Sequence, residues 1–506
     1  MMGRSRSLGV CLLAAAVSAC GSGGGSAPPS VAPVARGSLL VSPPAKVASF
    51  TGADLLALLS GSDPGKLLLQ IGGVPLCDVD VHQLKYETVD PAAVLTPAAG
   101  ALMVPSGTNP LCQGARPILL YAHGTATDKS FNMAGLDSAN SEAVLLAAVF
   151  ASRGYIVVAP NYVGYDSSTL GYHPYLNADQ QSKDMIDALT AARSALPTSS
   201  APSTTAGAKL FITGYSQGGY VAMATHRAMQ ASGMPVTASA PLSGPYALSA
   251  FGDAIFRGQV SASATVNMTL LMASYQHAYS NLYVNPGDVF EPTYAPTIDA
   301  LLPGMATVPQ LEAQGKLPRG GALFDSVSPG AGFAAFTPAT EPGALTAIFA
   351  QGFGADHLVR NAYRLSYLQD MQAAPDGGFP ALGDGLPPSN PANALRQDLK
   401  TNDLRNWTPT APVLLCAGGL DPTVFYLNTR LMLSYWVANP PVAPGAVSAL
   451  DVDSDAAFTA AKDAVRVQAV LAGASDGGDL AVLNAYHATL VPPFCFKAVQ
   501  GFFDAH

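Results

Sequence analysis

Short uninterrupted apolar runs recur along the middle of the chain, each followed by a stretch with helical spacing. Pro117-Ile118-Leu119-Leu120-Tyr121-Ala122, Tyr155-Ile156-Val157-Val158-Ala159, Lys209-Leu210-Phe211-Ile212-Thr213, Val236 to Leu242 and Pro412 to Ala417 are such runs. Runs of five to seven β-prone residues bounded by turn formers predict strands buried on both faces. Between them, 141–152, 177–194 and 219–227 carry helical periodicity, with Met185, Ile186 and Leu189 on one face of the second. Strand and helix in strict alternation predict an α/β fold. Right-handed crossovers then wind helices over both faces of a mostly parallel sheet.

The alternation stops between Ala247 and Lys400. That stretch has helical runs at 266–283 and 355–373, joined by Pro- and Gly-rich connections. An insertion after the strand at 236–242 emerges over the carboxyl ends of the strands, so it predicts a large, mainly helical cap. Tyr275, Tyr279 and Tyr283 share one helix face at i, i+4, i+8. Packing within the cap is favoured for them over lining a pocket.

The amino-terminal residues read as an address. Arg4 and Arg6 precede an apolar stretch from Leu8 to Val17 that is too short to span a bilayer, and small residues follow in Val17-Ser18-Ala19-Cys20. This tetrapeptide resembles the lipobox of bacterial lipoproteins. The resemblance implies cleavage before Cys20, lipidation of that cysteine and a membrane anchor; Gly21 after it is compatible with transfer to an outer membrane. A plain secretory signal with an incidental cysteine is the alternative, and export follows from both. Residues 21–47 are rich in Gly, Ser, Ala and Pro and nearly uncharged, a composition that reads as a tether. About 17 such residues reach on the order of 23 Å. The expected organisation is therefore a signal peptide at 1–19, anchor and tether at 20–47, core at 48–246, cap at 247–400 and core again at 401–506.

Apolar residues make up 49% of the chain and charged ones only 12%, ample for a large core, and no later apolar run is long enough for a transmembrane helix. A net charge of −9 argues against nucleic acid as a partner. After removal of Cys11 and acylation of Cys20, the cysteines Cys77, Cys112, Cys416 and Cys495 remain for an oxidising compartment. Of three pairings, Cys77–Cys112 and Cys416–Cys495 are favoured. The second would tie the strand before Asp421 to the segment after His487. Buried free thiols are the alternative. No Cys/His spacing suggests a zinc site, and no cofactor or metal is expected.

Candidate chemistry centres on Gly214-Tyr215-Ser216-Gln217-Gly218, which joins a predicted strand to a predicted helix. A serine between glycines at such a turn is a nucleophile elbow, where small neighbours let the hydroxyl protrude from strained backbone. A second match, Gly473-Ala474-Ser475-Asp476-Gly477, follows a helical run and fails on context. A serine hydroxyl needs a base, and the base needs a carboxylate to orient it. In this architecture the order is serine, acid, histidine. Asp421, after the strand at 412–417 and a glycine turn, is the candidate acid, with Asp451, Asp453 and Asp455 as rivals. Those three aspartates mimic the start of a calcium loop, but Ala456 and Lys462 replace the required glycine and glutamate. Only His487 and the terminal His506 lie beyond the acid, and His487 is the candidate base. His82, His173, His226, His277 and His357 read as surface or packing histidines. The oxyanion donors are expected to be the amides of Gln217 and Thr125, with His123 structural and Asp128 orienting the loop or a substrate.

The set LLYAHGTATD, GYIVVAPNYVGYDSS, HPYL, GYSQGGYVA, GGLDPTV and a late YH resembles the α/β-hydrolase superfamily, in its secretory-lipase and related bacterial esterase branch. The resemblance spans roughly 74–506. It implies hydrolysis of carboxylic esters, with Ser216, Asp421 and His487 matching the family triad; the large apolar cap suits bulky or hydrophobic acyl groups, polyesters among them. The loop after the first strand departs from the glycine-rich HGGG form of other esterases. Asn161 falls where many relatives carry aspartate. A serine peptidase or amidase using the same triad, or a non-catalytic surface lipoprotein on a hydrolase scaffold, are the competing readings.

Overall fold

The computed structural model describes residues 35–136, 141–199, 204–440 and 446–506. The predicted signal peptide, Cys20 and the first part of the tether lie outside the described residues. Nine strands form one sheet: β1 Ala45–Phe50, β2 Asp78–Val89, β3 Leu95–Ser106, β4 Gly114–Ala122, β5 Ile156–Pro160, β6 Thr204–Tyr215, β7 Ala238–Leu242, β8 Val413–Ala417 and β9 Val447–Asp451. Their order across the sheet is β1-β2-β3-β5-β4-β6-β7-β8-β9. Strands β4 to β9 are parallel; the apolar runs predict β4 to β8, and β9 is an edge strand they did not mark. β1, β2 and β3 add an antiparallel flank.

Alternation of side chains splits the core between the two faces. Ile118 and Leu120 of β4, with Ile156, Val158 and Ile212, pack on one side, under the helices Ala178–Ser199 and Gln217–Ala231. Leu119 and Tyr121, with Val157, Ala159 and Phe211, pack on the other, under Ser141–Val149 and Val491–Asp504. A strand buried on both sides has no polar face to display, which is why these runs lack alternation in the sequence.

Residues 35–47 depart from the tether reading. Gly37 N–H donates to Glu87 O at 2.8 Å, Leu40 N–H to Lys85 O at 2.8 Å, and β1 begins at Ala45. The segment follows the edge of β2, whose open backbone groups need partners. Residues 247–400 add no strand to the sheet and contain the helices Leu248–Phe256, Ala264–Tyr279 and Asn361–Ala373. Within it the Arg396 guanidinium, almost wholly buried, takes Asp253 in two hydrogen bonds of 3.0 and 2.9 Å. The helix ends at Tyr279, with Ser280 left-handed at φ 56°, so Tyr283 does not share its face with Tyr275 and Tyr279; all three serve packing, Tyr275 donating to Leu176 O, Tyr279 accepting from Asn402 and Tyr283 donating to Asp299.

Both favoured cysteine pairs are disulfides. Cys77–Cys112 clips the start of β2 to the turn before β4, and Cys416–Cys495 joins β8 to the last helix.

Candidate active site

The chain leaves β4, goes to β5 at one side, then returns past β4 to β6 on the other. Crevices in open α/β sheets form where the winding reverses in this way, at the carboxyl ends of the strands. Here those ends carry the His123-Gly124-Thr125 loop after β4 and Ser216 after β6.

Ser216 sits at φ 59° and ψ −123°, a conformation non-glycine residues seldom adopt. Close approach makes the turn possible only with glycine beside it. A Cβ on Gly218 would lie 2.0 Å from Ala122 O, and one on Gly214 2.4 Å from the same atom. Ser216 N–H donates to Leu242 O at 3.0 Å, locking the turn to β7. The following helix begins at Gln217, and its first-turn amides have no intrahelical acceptor.

The Ser216 Oγ lies 2.8 Å from His487 Nε2, and His487 Nδ1 lies 2.6 Å from Asp421 Oδ2. Asp421 is 1% exposed, whereas Ser216 and His487 are half-buried and face a cleft. The other Asp421 oxygen accepts the amides of Thr423 and Val424 at 2.9 and 3.0 Å, so the carboxylate has a fixed aim. Three side chains separated in sequence by up to 271 positions thus form one hydrogen-bonded line.

His487 belongs to a π-helical turn, Tyr486–Leu490, between the helices Asp479–Ala485 and Val491–Asp504. Pro492 and Pro493 lack the N–H groups that an α-helix would direct at the carbonyls of Ala488 and Thr489, and the widened turn follows.

The rival acids have other tasks, and Asp455 caps the helix Ala456–Leu471 by accepting Ala457 N–H at 2.7 Å. Asp451 accepts Gly419 N–H, and Asp453 accepts Leu420 N–H, the Tyr486 phenol and the Lys462 ammonium. They brace the turn that presents Asp421, and Tyr486 ties that turn to the residue before His487. A Cβ on Gly418 would strike the Tyr486 ring at 2.5 Å, so this turn also requires glycine. His506 is exposed and bonds Phe502 O. Ser475, in the second Gly-x-Ser-x-Gly, is also exposed.

Thr125 borders the cleft beside Ser216, and its amide has no backbone acceptor among the described residues. Its hydroxyl meets Tyr175 OH at 3.2 Å. His123 is buried against Tyr162, with Nε2 3.0 Å from Asn161 O, and burial pushes its pKa down to about 4. Asp128 is exposed and turns back to accept Ser130 N–H, so it orders its own loop. Asn161 is buried, its side chain accepting Met133 N–H at 2.7 Å.

His173 has a larger part than its reading as a packing residue allowed. Its Nδ1–H donates to Val163 O at 2.9 Å, leaving Nε2 to accept the Gln217 side-chain amide at 2.7 Å. Burial lowers its pKa to about 3, so the ring stays neutral and keeps that acceptor. The residue after the serine is thereby held from behind. Only HPYL in the sequence marks the position, and nothing in it reveals a partner 44 residues away.

The cleft measures ≈ 1450 Å³. Phe251, Ile255 and Leu271 line it from the 247–400 segment, and Leu67, Val465 and Phe496 line it from the core. Such a volume and apolar character suit a bulky hydrophobic ligand.

This arrangement, a doubly wound sheet with serine, histidine and acid at the ends of its strands, is that of an α/β-hydrolase, and the chain is a hydrolase of that superfamily. The model of the prolyl oligopeptidase family matches residues 142–233, which hold the elbow. The structure is similar to the rice cell wall degrading esterase LipA from Xanthomonas oryzae, with 25% identity, 92% of this chain and 98% of that chain covered and a TM-score of 0.65. It is similar in fold to a protein from Legionella pneumophila, with 20% identity, 91% of this chain and 96% of that chain covered and a TM-score of 0.59. No curated protein gives a significant match.

Proposed function

We propose that the chain is an exported serine esterase that cleaves carboxylic esters with a hydrophobic acyl part through an acyl-enzyme. The observation that carries this reading is the line Ser216 Oγ, His487 Nε2, His487 Nδ1, Asp421 Oδ2, with contacts of 2.8 and 2.6 Å. His487 Nε2 takes the Ser216 proton as Oγ adds to the ester carbonyl. Asp421 holds the Nδ1–H tautomer and stabilises the imidazolium. The amides of Thr125 and Gln217 receive the charge on the former carbonyl oxygen, and the helix beginning at Gln217 adds its positive end. His487 then gives the proton to the leaving alcohol oxygen as its bond to the acyl carbon breaks. Water, deprotonated by the same nitrogen, releases the acid and restores Ser216.

The cleft supports a hydrophobic acyl group, and polymeric esters fit the same chemistry. The likeness to LipA, an esterase, at 25% identity favours ester over amide substrates. Peptidase activity is the second reading, favoured by the prolyl oligopeptidase match at 142–233. Residues 247–400 act as a cap over the strand ends. Two disulfides suit an oxidising compartment, and Cys20 is proposed to carry the lipid that holds the mature protein at the cell envelope. A panel of p-nitrophenyl esters graded by acyl length, run beside prolyl and other peptide substrates, tests the reading. Turnover confined to esters is expected, and turnover confined to peptides would reject it.

A further inference from the structure

Several peptide groups around the turn after β4 are held by side chains. Tyr162 OH donates to His123 O at 3.1 Å and Tyr165 OH to Ala126 O at 2.6 Å. The Gly124 amide is held differently, by a carboxylate: Glu142 Oε1 and Oε2 accept its N–H at 3.1 and 3.2 Å. Glu142 stands in the first turn of the helix Ser141–Val149 and borders the cleft that Ser216 faces. It is itself fixed from beneath, because the fully buried Tyr121 donates its phenol to Oε1 at 2.7 Å.

We infer that Glu142 is a positioning residue that aims the Thr125 amide at the oxyanion by holding the adjacent Gly124 amide. The inference rests on the serine-esterase reading and on Thr125 as one oxyanion donor. An oxyanion donor helps only when it is preorganised, since a peptide that must rotate during reaction spends the stabilisation it supplies. Gly124 is the weak point of the turn. It has no side chain to restrict it, and its neighbour Thr125 has no backbone acceptor for its own amide among the described residues. A two-oxygen acceptor clamped on Gly124 N–H fixes the His123–Gly124 peptide on one side of the glycine, while His123 Nδ1, 2.6 Å from Gly124 O, meets the following peptide, the one that bears the Thr125 amide. Burial raises the Glu142 pKa above its ordinary value, the cost of keeping a carboxyl in this apolar wall. A mere favourable charge at the helix start would not need the Tyr121 bond or the contact to Gly124.

Two conservative variants separate reach from charge. Glu142→Gln keeps an acceptor oxygen at full length and removes the charge. Glu142→Asp keeps the charge and withdraws the acceptor by one methylene. On p-nitrophenyl butyrate, Glu142→Asp is expected to lower kcat about 10- to 100-fold with KM within about twofold, in the range of losing an oxyanion donor. Glu142→Gln should stay within about threefold of the parent. Parental kcat in Glu142→Asp, or a loss in Glu142→Gln as large as in Glu142→Asp, would overturn the inference. A parent chain that neither turns over esters nor reacts with a fluorophosphonate would instead sink the esterase reading on which it rests.

Discussion

The phenol of Tyr215 donates to the backbone carbonyl of His487 at 2.6 Å, so the residue before Ser216 grips the residue whose imidazole meets it. The ring of Tyr215 also lies 5.1 Å from the imidazole, tilted by 41°. The elbow thus fixes the distance between Ser216 and the imidazole from its own side, and Asp421 fixes the imidazole from the other. Tyr215→Phe keeps the ring and removes that grip. A drop in kcat of about 10-fold with KM unchanged is expected, because small misplacements of reacting groups are costly. Steady-state kinetics check it, and an unaltered kcat would show the carbonyl bond to be dispensable.

Asp421 is buried and accepts two amides besides the imidazole. Asp421→Asn retains the shape and presents the wrong partner to Nδ1–H. The expected loss in kcat is on the order of 10⁴-fold with the fold intact. Circular dichroism beside ester turnover measures both; a loss under tenfold would point to another acid.

His123 and His173 carry a pH dependence with a definite sign. Their folded pKa values, about 4 and about 3, lie below the ordinary value of about 6.5. Between those limits the unfolded chain binds more protons, so this contribution to stability is complete above about pH 6.5 and is lost as pH falls through 4 to 3. A protonated His173 also can no longer accept the Gln217 amide. Thermal midpoints measured from pH 8 to pH 4 should be level at first and then fall. His173→Asn should flatten the fall; an identical profile in that variant would contradict the account.

Cys416–Cys495 closes a loop across 79 positions and holds the last helix, which follows His487 directly, on β8. On a loop-entropy estimate it stabilises by about 4 kcal/mol. A Cys495→Ala variant should therefore melt several degrees lower and lose activity first on warming, as the π-turn loosens. Melting at the parental temperature would show that core packing alone holds the helix.

How much of this was legible depended on what each residue's job required. The parallel strands β4 to β8 announced themselves because burial on both faces forces a continuous apolar run, as in Ile156-Val157-Val158. Strand β2, Asp78-Val79-Asp80-Val81, is half polar, so it lacks that run, and the sequence reading began its sheet only at Pro117. The edge strand β9 is largely exposed and carries little signal. In the site, Ser216, Asp421 and His487 could be picked out because chain order and glycine turns constrain them. Glu142 and His173 could not. Each acts through a contact to a loop far away in sequence, Gly124 and Gln217 respectively, and no local pattern encodes such a meeting.

The central claim is that Ser216 is a nucleophile activated by His487. The most direct measurement is covalent labelling by a fluorophosphonate, located by peptide mass, alongside p-nitrophenyl ester turnover in the parent and in Ser216→Ala. The account predicts a single label on Ser216, and no label or turnover in Ser216→Ala while its circular dichroism matches the parent. Labelling elsewhere, or turnover that survives in Ser216→Ala, would contradict it.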